Sequence, residues 1–117
     1  MRLREIRDLL ACDVLAGEHR LDLEVEECFA ADLMSDVLAY AKPGVLLVTG
    51  LAGIQSVHTA DVADLVGIVY VNGSRPAERV VDLAREREIP IQTTDLPLFD
   101  ACRILSANGL LGGTRSR

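Results

Sequence analysis

The chain of 117 residues contains no tryptophan, and its aromatic residues are two tyrosines and two phenylalanines, Tyr40, Tyr70, Phe29 and Phe99. A platform that stacks nucleobases needs several exposed rings beside basic residues. Cations are in deficit too: Lys and Arg number 12 against 18 Asp and Glu, for a net charge of −6. Affinity for nucleic acid rests on clustered Lys and Arg at phosphates, so nucleic acid is not the partner this composition serves.

Histidine is equally scarce. His19 and His58 have no partner at metal-ligand spacing, so no metal and no cofactor is expected. Cys12, Cys28 and Cys102 are odd in number, far apart and outside any Cys-x-x-Cys pattern, which reads as reduced thiols in or near a core. The start, MRLREIRDLLACDV, has no uninterrupted apolar stretch of signal-peptide type, and no apolar run approaches membrane-spanning length. The expectation is a cytoplasmic protein with no membrane partner.

What the chain does have is apolar residues, half of the total before glycine is counted. For a chain of one-domain length that is a slight surplus, which favours self-association. Residues 1–111 are expected to form a single domain, with GGTRSR at 112–117 as a flexible tail.

The stretch from Val66 to Pro76, VGIVYVNGSRP, organises the rest. Val66, Ile68, Val69, Tyr70 and Val71 suit a strand buried on both faces, as in a parallel sheet covered by helices. Asn72 and Gly73 accept the left-handed conformation of a sharp turn, and Pro76 suits the first position of the following helix. The segment Val45–Thr49 repeats the plan, with a loop Gly50-Leu51-Ala52-Gly53 and a helix from Ile54 to Leu65. A third round is Ile89–Gln92, placed at a sheet edge or a strand start by Pro90, then Thr93-Thr94-Asp95 and a helix carrying Leu98, Ala101, Cys102 and Leu105 on one face. Asn108-Gly109 suits its end.

The first half is less regular. Leu3, Ile6, Leu9 and Leu10 mark an amphipathic helix over Arg2–Leu10, followed by a brief extended segment at Val14-Leu15 and a polar loop at 18–20. Leu21, Leu23 and Val25 alternate with Asp22, Glu24 and Glu26, predicting a half-exposed strand through Ala31. Ser35 is expected to cap a helix that ends before Pro43-Gly44. The whole is an α/β layered domain with a mostly parallel central sheet flanked by helices.

In such sheets ligands bind beyond the carboxyl ends of the strands. Gly50 and Gly53, Asn72, Gly73, Ser74 and Arg75, and Thr93, Thr94 and Asp95 fall in the turns there. Free backbone N–H groups near helix N-termini would favour an anion, with Arg75 as a fixed positive charge. No P-loop, G-x-G-x-x-G or nucleophile-elbow pattern occurs, and Ser56 and His58 fall on different helix faces. No catalytic residues are expected, and an enzyme acting on a phosphorylated metabolite is the least favoured reading.

The order of Ala31-Asp32-Leu33-Met34-Ser35, Pro43-Gly44-Val45-Leu46-Leu47-Val48-Thr49-Gly50 and Tyr70-Val71-Asn72-Gly73-Ser74-Arg75-Pro76 resembles the DRTGG domain family over nearly the whole chain. That resemblance implies a fold like the N-terminal domain of HPr kinase. DRTGG domains occur inside long phosphate acetyltransferases and between the CBS domains of some pyrophosphatases. It implies a regulatory, dimer-forming module that senses an adenine nucleotide or another phosphorylated small molecule and acts on an unidentified protein partner. Leu51-Ala52 stands where the family has Asp-Arg, and Val71-Asn72-Gly73 where it has Thr-Gly-Gly. These departures leave a second expectation open, a purely structural dimerisation scaffold without ligand.

Overall fold

The fold is described from a computed structural model covering residues 1–115. In chain order its elements are α1 (Leu3–Leu10), β1 (Asp13–Ala16), β2 (Glu27–Ala30), α2 (Met34–Tyr40), β3 (Leu46–Thr49) and α3 (Ile54–Val62). β4 (Gly67–Tyr70), α4 (Glu78–Glu86), β5 (Ile91–Thr93), α5 (Leu98–Ala107) and β6 (Leu111–Gly112) complete it. They build one six-stranded sheet in the order β1-β5-β4-β3-β2-β6. β1 runs antiparallel to β5, and every other neighbouring pair is parallel. The expected α/β fold with a mostly parallel sheet is the one found.

The uninterrupted apolar runs of β3 and β4 have their physical counterpart in two cores. Leu47, Ile68, Tyr70 and Ile91 pack with Val37 of α2, Val57 and Ala60 of α3, and Val80 and Ala84 of α4. Leu46, Val48, Val69 and Val71 face the other way, onto Leu3, Ile6 and Leu10 of α1 and Ala101 and Leu105 of α5. Alternate residues of one strand thus serve opposite cores, so both parities must be apolar.

Ile89-Pro90 turns out to precede an interior strand. Pro90 lies just before β5, and its carbonyl accepts the Ile68 N–H at 3.0 Å, so the missing proline N–H costs no ladder bond. Gly67 opposes it: a Cβ there would sit 2.9 Å from the Pro90 carbonyl oxygen. The pairing of β4 with β5 requires glycine at that position.

Four local expectations are corrected. The strand predicted from Leu21 is confined to Glu27–Ala30, because Leu21 and Val25 are pulled into the α1 core. The Leu21 and Leu23 carbonyls there accept the N–H groups of Arg4 and Leu3 at the start of α1. α2 starts at Met34 with Leu33 in the cap position, and Ser35 is inside the helix. α4 starts at Glu78, two residues beyond Pro76. The loop at 18–20 is a short 3-10 turn.

Of the tail expected at 112–117, residues 112–115 are tied to the fold. β6 pairs with β2, the Gly113 N–H donates to the Cys28 carbonyl at 2.9 Å, and the Arg115 N–H donates to the Tyr40 carbonyl at 2.7 Å. Glycine allows the approach, since a Cβ at Gly113 would overlap Val45. Ser116 and Arg117 lie outside the described residues. Among the described residues no helix is long and apolar enough to cross a membrane.

Candidate functional site

The carboxyl ends of β2, β3, β4 and β5 meet along one side of the sheet, and the antiparallel β1 begins there with Asp13. Gly50, Asn72, Gly73, Thr93, Thr94 and Asp95 all sit on this edge, as the strand pattern predicts. Asn72 and Gly73 adopt the expected left-handed backbone, with φ of 61° and 69°. Gly50 lets the tips close up: a Cβ there would meet the Asn72 amide nitrogen at 3.2 Å and the Asp32 carboxylate at 3.5 Å.

The free N–H groups expected at these turns are mostly engaged. Asn72, Gly73 and Ser74 donate to the carbonyls of Leu96, Thr94 and Val71 at 2.8, 3.0 and 3.0 Å, and Thr94 donates to Tyr70 at 2.9 Å. The hydroxyls are engaged too. Thr93 Oγ1 donates to the Ser74 carbonyl and Thr94 Oγ1 to the Leu10 carbonyl, both at 2.6 Å. These two buried threonines tie β5 to the neighbouring turn and to α1. Sequence spacing places such groups on an edge but does not reveal that each turn satisfies itself.

Arg75 departs further from the expected constellation. Its guanidinium forms an exposed ion pair with Asp13 of β1. Since β5 lies between β4 and β1, the charge is drawn toward the far end of the edge. With strands about 4.8 Å apart, it stands three to four spacings, roughly 14–19 Å, from the tip of β2. Gly53, in the turn after β3, lies on the β2 side of the edge, and the Arg75 guanidinium is turned to the β1 side.

Asp32, just past β2, is the candidate site residue that sequence reasoning passed over. Its Oδ1 accepts the Thr49 hydroxyl at 3.1 Å and the Gly50 N–H at 2.8 Å, while Thr49 Oγ1 accepts the Leu51 N–H at 3.2 Å. The signal that could have found it is an acid immediately after an apolar strand, at the level where β3 to β5 also end.

Asp32 opens a cleft of about 390 Å³ between the first turns of α2 and α3, walled by Leu33, Met34 and Leu51 and closed by Gly53, Gln55 and Ser56. Leu33 and Leu51, 59% and 49% exposed, present apolar surface to this cleft. No side chain caps α3, whose N-cap is Gly53, so its first turn retains donors for a ligand. The cleft floor is fixed from below: Ser56 Oγ lies 2.7 Å from both the Gly53 carbonyl and the Tyr70 hydroxyl. Burial raises the Tyr70 pKa, with the Ser56 bond pulling the other way, so the phenol stays protonated.

Two other clefts have less to offer. One of about 300 Å³ lies at the opposite end of the sheet, where the Asp61 and Arg87 side chains pair at 2.8 Å. The second, about 480 Å³, lies between α2 and α5 beside Cys28 and Cys102. Burial, then the neighbouring Cys102, pushes Cys28 up to about 11, and burial raises Cys102 as well, so neither is a thiolate at neutral pH. Among the described residues no group of three His, Cys, Asp or Glu could hold a metal ion. Ser56 is buried against Tyr70, whereas His58 is exposed on α3, so the two do not form a nucleophile and base.

No family model matches the chain, and no curated protein matches it. Among solved structures it is similar to the CBS and DRTGG domains of the regulatory region of Clostridium perfringens pyrophosphatase, complexed with the activator diadenosine tetraphosphate. The TM-score is 0.75 at 16% sequence identity, over 99% of this chain and 50% of that one. The likeness is one of fold, and this chain spans half the length of the protein it resembles.

Proposed function

We propose that this chain is a non-catalytic regulatory module whose ligand, an adenine nucleotide or related phosphorylated metabolite, binds along the carboxyl edge of the sheet. The observation that carries this reading is the cleft between α2 and α3. It joins apolar walls, an unshared carboxylate oxygen on Asp32 and the uncapped start of α3 at the tips of parallel strands. The fold's likeness to a pyrophosphatase regulatory region carrying an adenine-containing activator supports the ligand class. Gly50, Gly53 and Asn72 border the cleft end, Gly73, Ser74, Thr93, Thr94 and Asp95 form the middle, and Arg75 supplies positive charge at the far end.

A thermal-shift screen against AMP, ADP, ATP, acetyl phosphate, coenzyme A and phosphate tests the reading. A ligand that binds only the folded state adds about 2.7 kcal/mol at 100 times its dissociation constant, which raises the melting temperature of a chain this size by roughly 10 °C. A selective shift with an adenine nucleotide supports the proposal. No shift with any compound at millimolar concentration rejects it.

The exposed leucines Leu33, Leu38 and Leu51 favour a second reading, homodimerisation through the same edge without a ligand. Sedimentation equilibrium decides that reading. A dimer dissociated by Leu33→Asp or Leu51→Asp supports it, and a monomer at high micromolar concentration removes it.

A further inference from the structure

Asp32 occupies the position an incoming anion would otherwise take. Its Oδ1 already fills the small donor site made by the Thr49 hydroxyl and the Gly50 N–H, at 3.1 and 2.8 Å. Its Oδ2 has no hydrogen-bond partner among the described residues, and the carboxylate lines the cleft of about 390 Å³. A phosphate placed at this end would meet the exposed Asp32 carboxylate at close range, a like-charge contact that disfavours it. What Asp32 Oδ2 can accept is a hydrogen bond from a hydroxyl or amino group.

The walls define the rest of that group. Leu33, Met34 and Leu51 offer apolar surface, and the Gln55 amide, on the α3 side, can both donate and accept. Apolar walls with two directional polar groups fit a flat heterocycle bearing hydroxyls. Resting on the proposed reading of this edge as a ligand site, we propose that the α2–α3 cleft binds the nucleoside part of the ligand, with Asp32 accepting from its hydroxyl or amino groups. The phosphate chain then runs away from Asp32 along the strand tips toward Arg75. The one cation of the turns sets this polarity: going from β2 to β1, the edge begins at the Asp32 carboxylate and ends at Arg75, whose exposed guanidinium is paired with Asp13.

Calorimetric titrations with adenosine, AMP and inorganic phosphate on wild-type, Asp32→Asn and Gln55→Ala proteins test the assignment. The asparagine oxygen can still accept from Thr49 and Gly50, so Asp32→Asn keeps the local fold while removing the charge. Gln55 is exposed on α3, so its truncation gives a second variant free of folding effects. The expected results are that adenosine binds and competes with AMP, that phosphate does not displace adenosine, and that Asp32→Asn weakens adenosine and AMP by the same factor of ten or more. Gln55→Ala weakens both by several-fold. If AMP binds while adenosine neither binds nor competes, or if Asp32→Asn tightens AMP, the polarity is reversed and the inference fails while the ligand site stands. If neither adenosine nor AMP binds the folded wild-type protein, the inference fails, and the thermal-shift screen decides the site reading separately.

Discussion

The Tyr70 hydroxyl lies 2.7 Å from Ser56 Oγ in the interior, and the same serine oxygen lies 2.7 Å from the Gly53 carbonyl. A serine hydroxyl has one proton. If it goes to the Gly53 carbonyl, which can only accept, the tyrosine must donate to the serine. The chain Tyr70 to Ser56 to Gly53 thus links the central strand to the floor of the α2–α3 cleft.

The two ends of this relay differ in their importance. Ser56→Ala leaves the buried phenol without a partner and costs about 1–3 kcal/mol, whereas Tyr70→Phe leaves Ser56 its Gly53 acceptor and costs about 0.5–1.5 kcal/mol. Urea unfolding of both single variants and the double variant checks the order, and the double variant should cost less than the two singles added.

The C-terminal segment is predicted to be part of the fold. Gly113→Ala would drive a methyl group into Val45 and lower stability by about 1–3 kcal/mol. A truly loose tail would leave the urea midpoint unchanged.

Stability should fall in alkali for a reason visible in the core. Burial, then the nearby Asp13 charge, pushes Cys12 from 9.0 up to about 12; Cys28 rises from 9.0 to about 11, and Tyr70 is raised above 10.0. In each case the folded state holds a proton that the unfolded chain has released. The stabilisation is therefore complete below about pH 9 and is lost as pH rises from there through 11–12. Urea midpoints at pH 7, 9 and 10.5 should decline between the last two, and Cys12→Ala should shallow the decline.

Arg75 and Asp13 are more than half exposed, so their pairing contributes little. Arg75→Ala should change stability by less than about 1 kcal/mol. On the proposed polarity it should leave adenosine binding unaltered and weaken ATP, whose phosphates extend toward it. Equal weakening of both ligands would contradict that placement.

Much of this architecture was legible in the residues. Val45–Thr49 and Val66–Val71 are apolar at both parities because each strand feeds two cores, and that demand is local enough to read. The glycine and asparagine turns followed from the same logic. What escaped depends on contacts between distant segments. Leu21 and Val25 alternate like a strand yet serve as the lid over α1, and Gly113 needs β2 as its partner. The strand-to-helix turns share one edge of the sheet, as their pattern implies, but the partners of Asp32 and Arg75 were not legible. Asp32 answers donors on β3, and Arg75 answers an acid on β1, pairings that only the sheet order creates.

The most direct measurement of the central claim is an adenosine titration of isotope-labelled protein followed by amide chemical shifts. The account predicts saturable shifts centred on Gly50, Leu51, Gly53, Gln55 and Ser56, with the opposite end of the sheet around Asp61 and Glu88 unmoved. Spectra that stay unchanged to millimolar adenosine and AMP, or shifts confined to that opposite end, would contradict it.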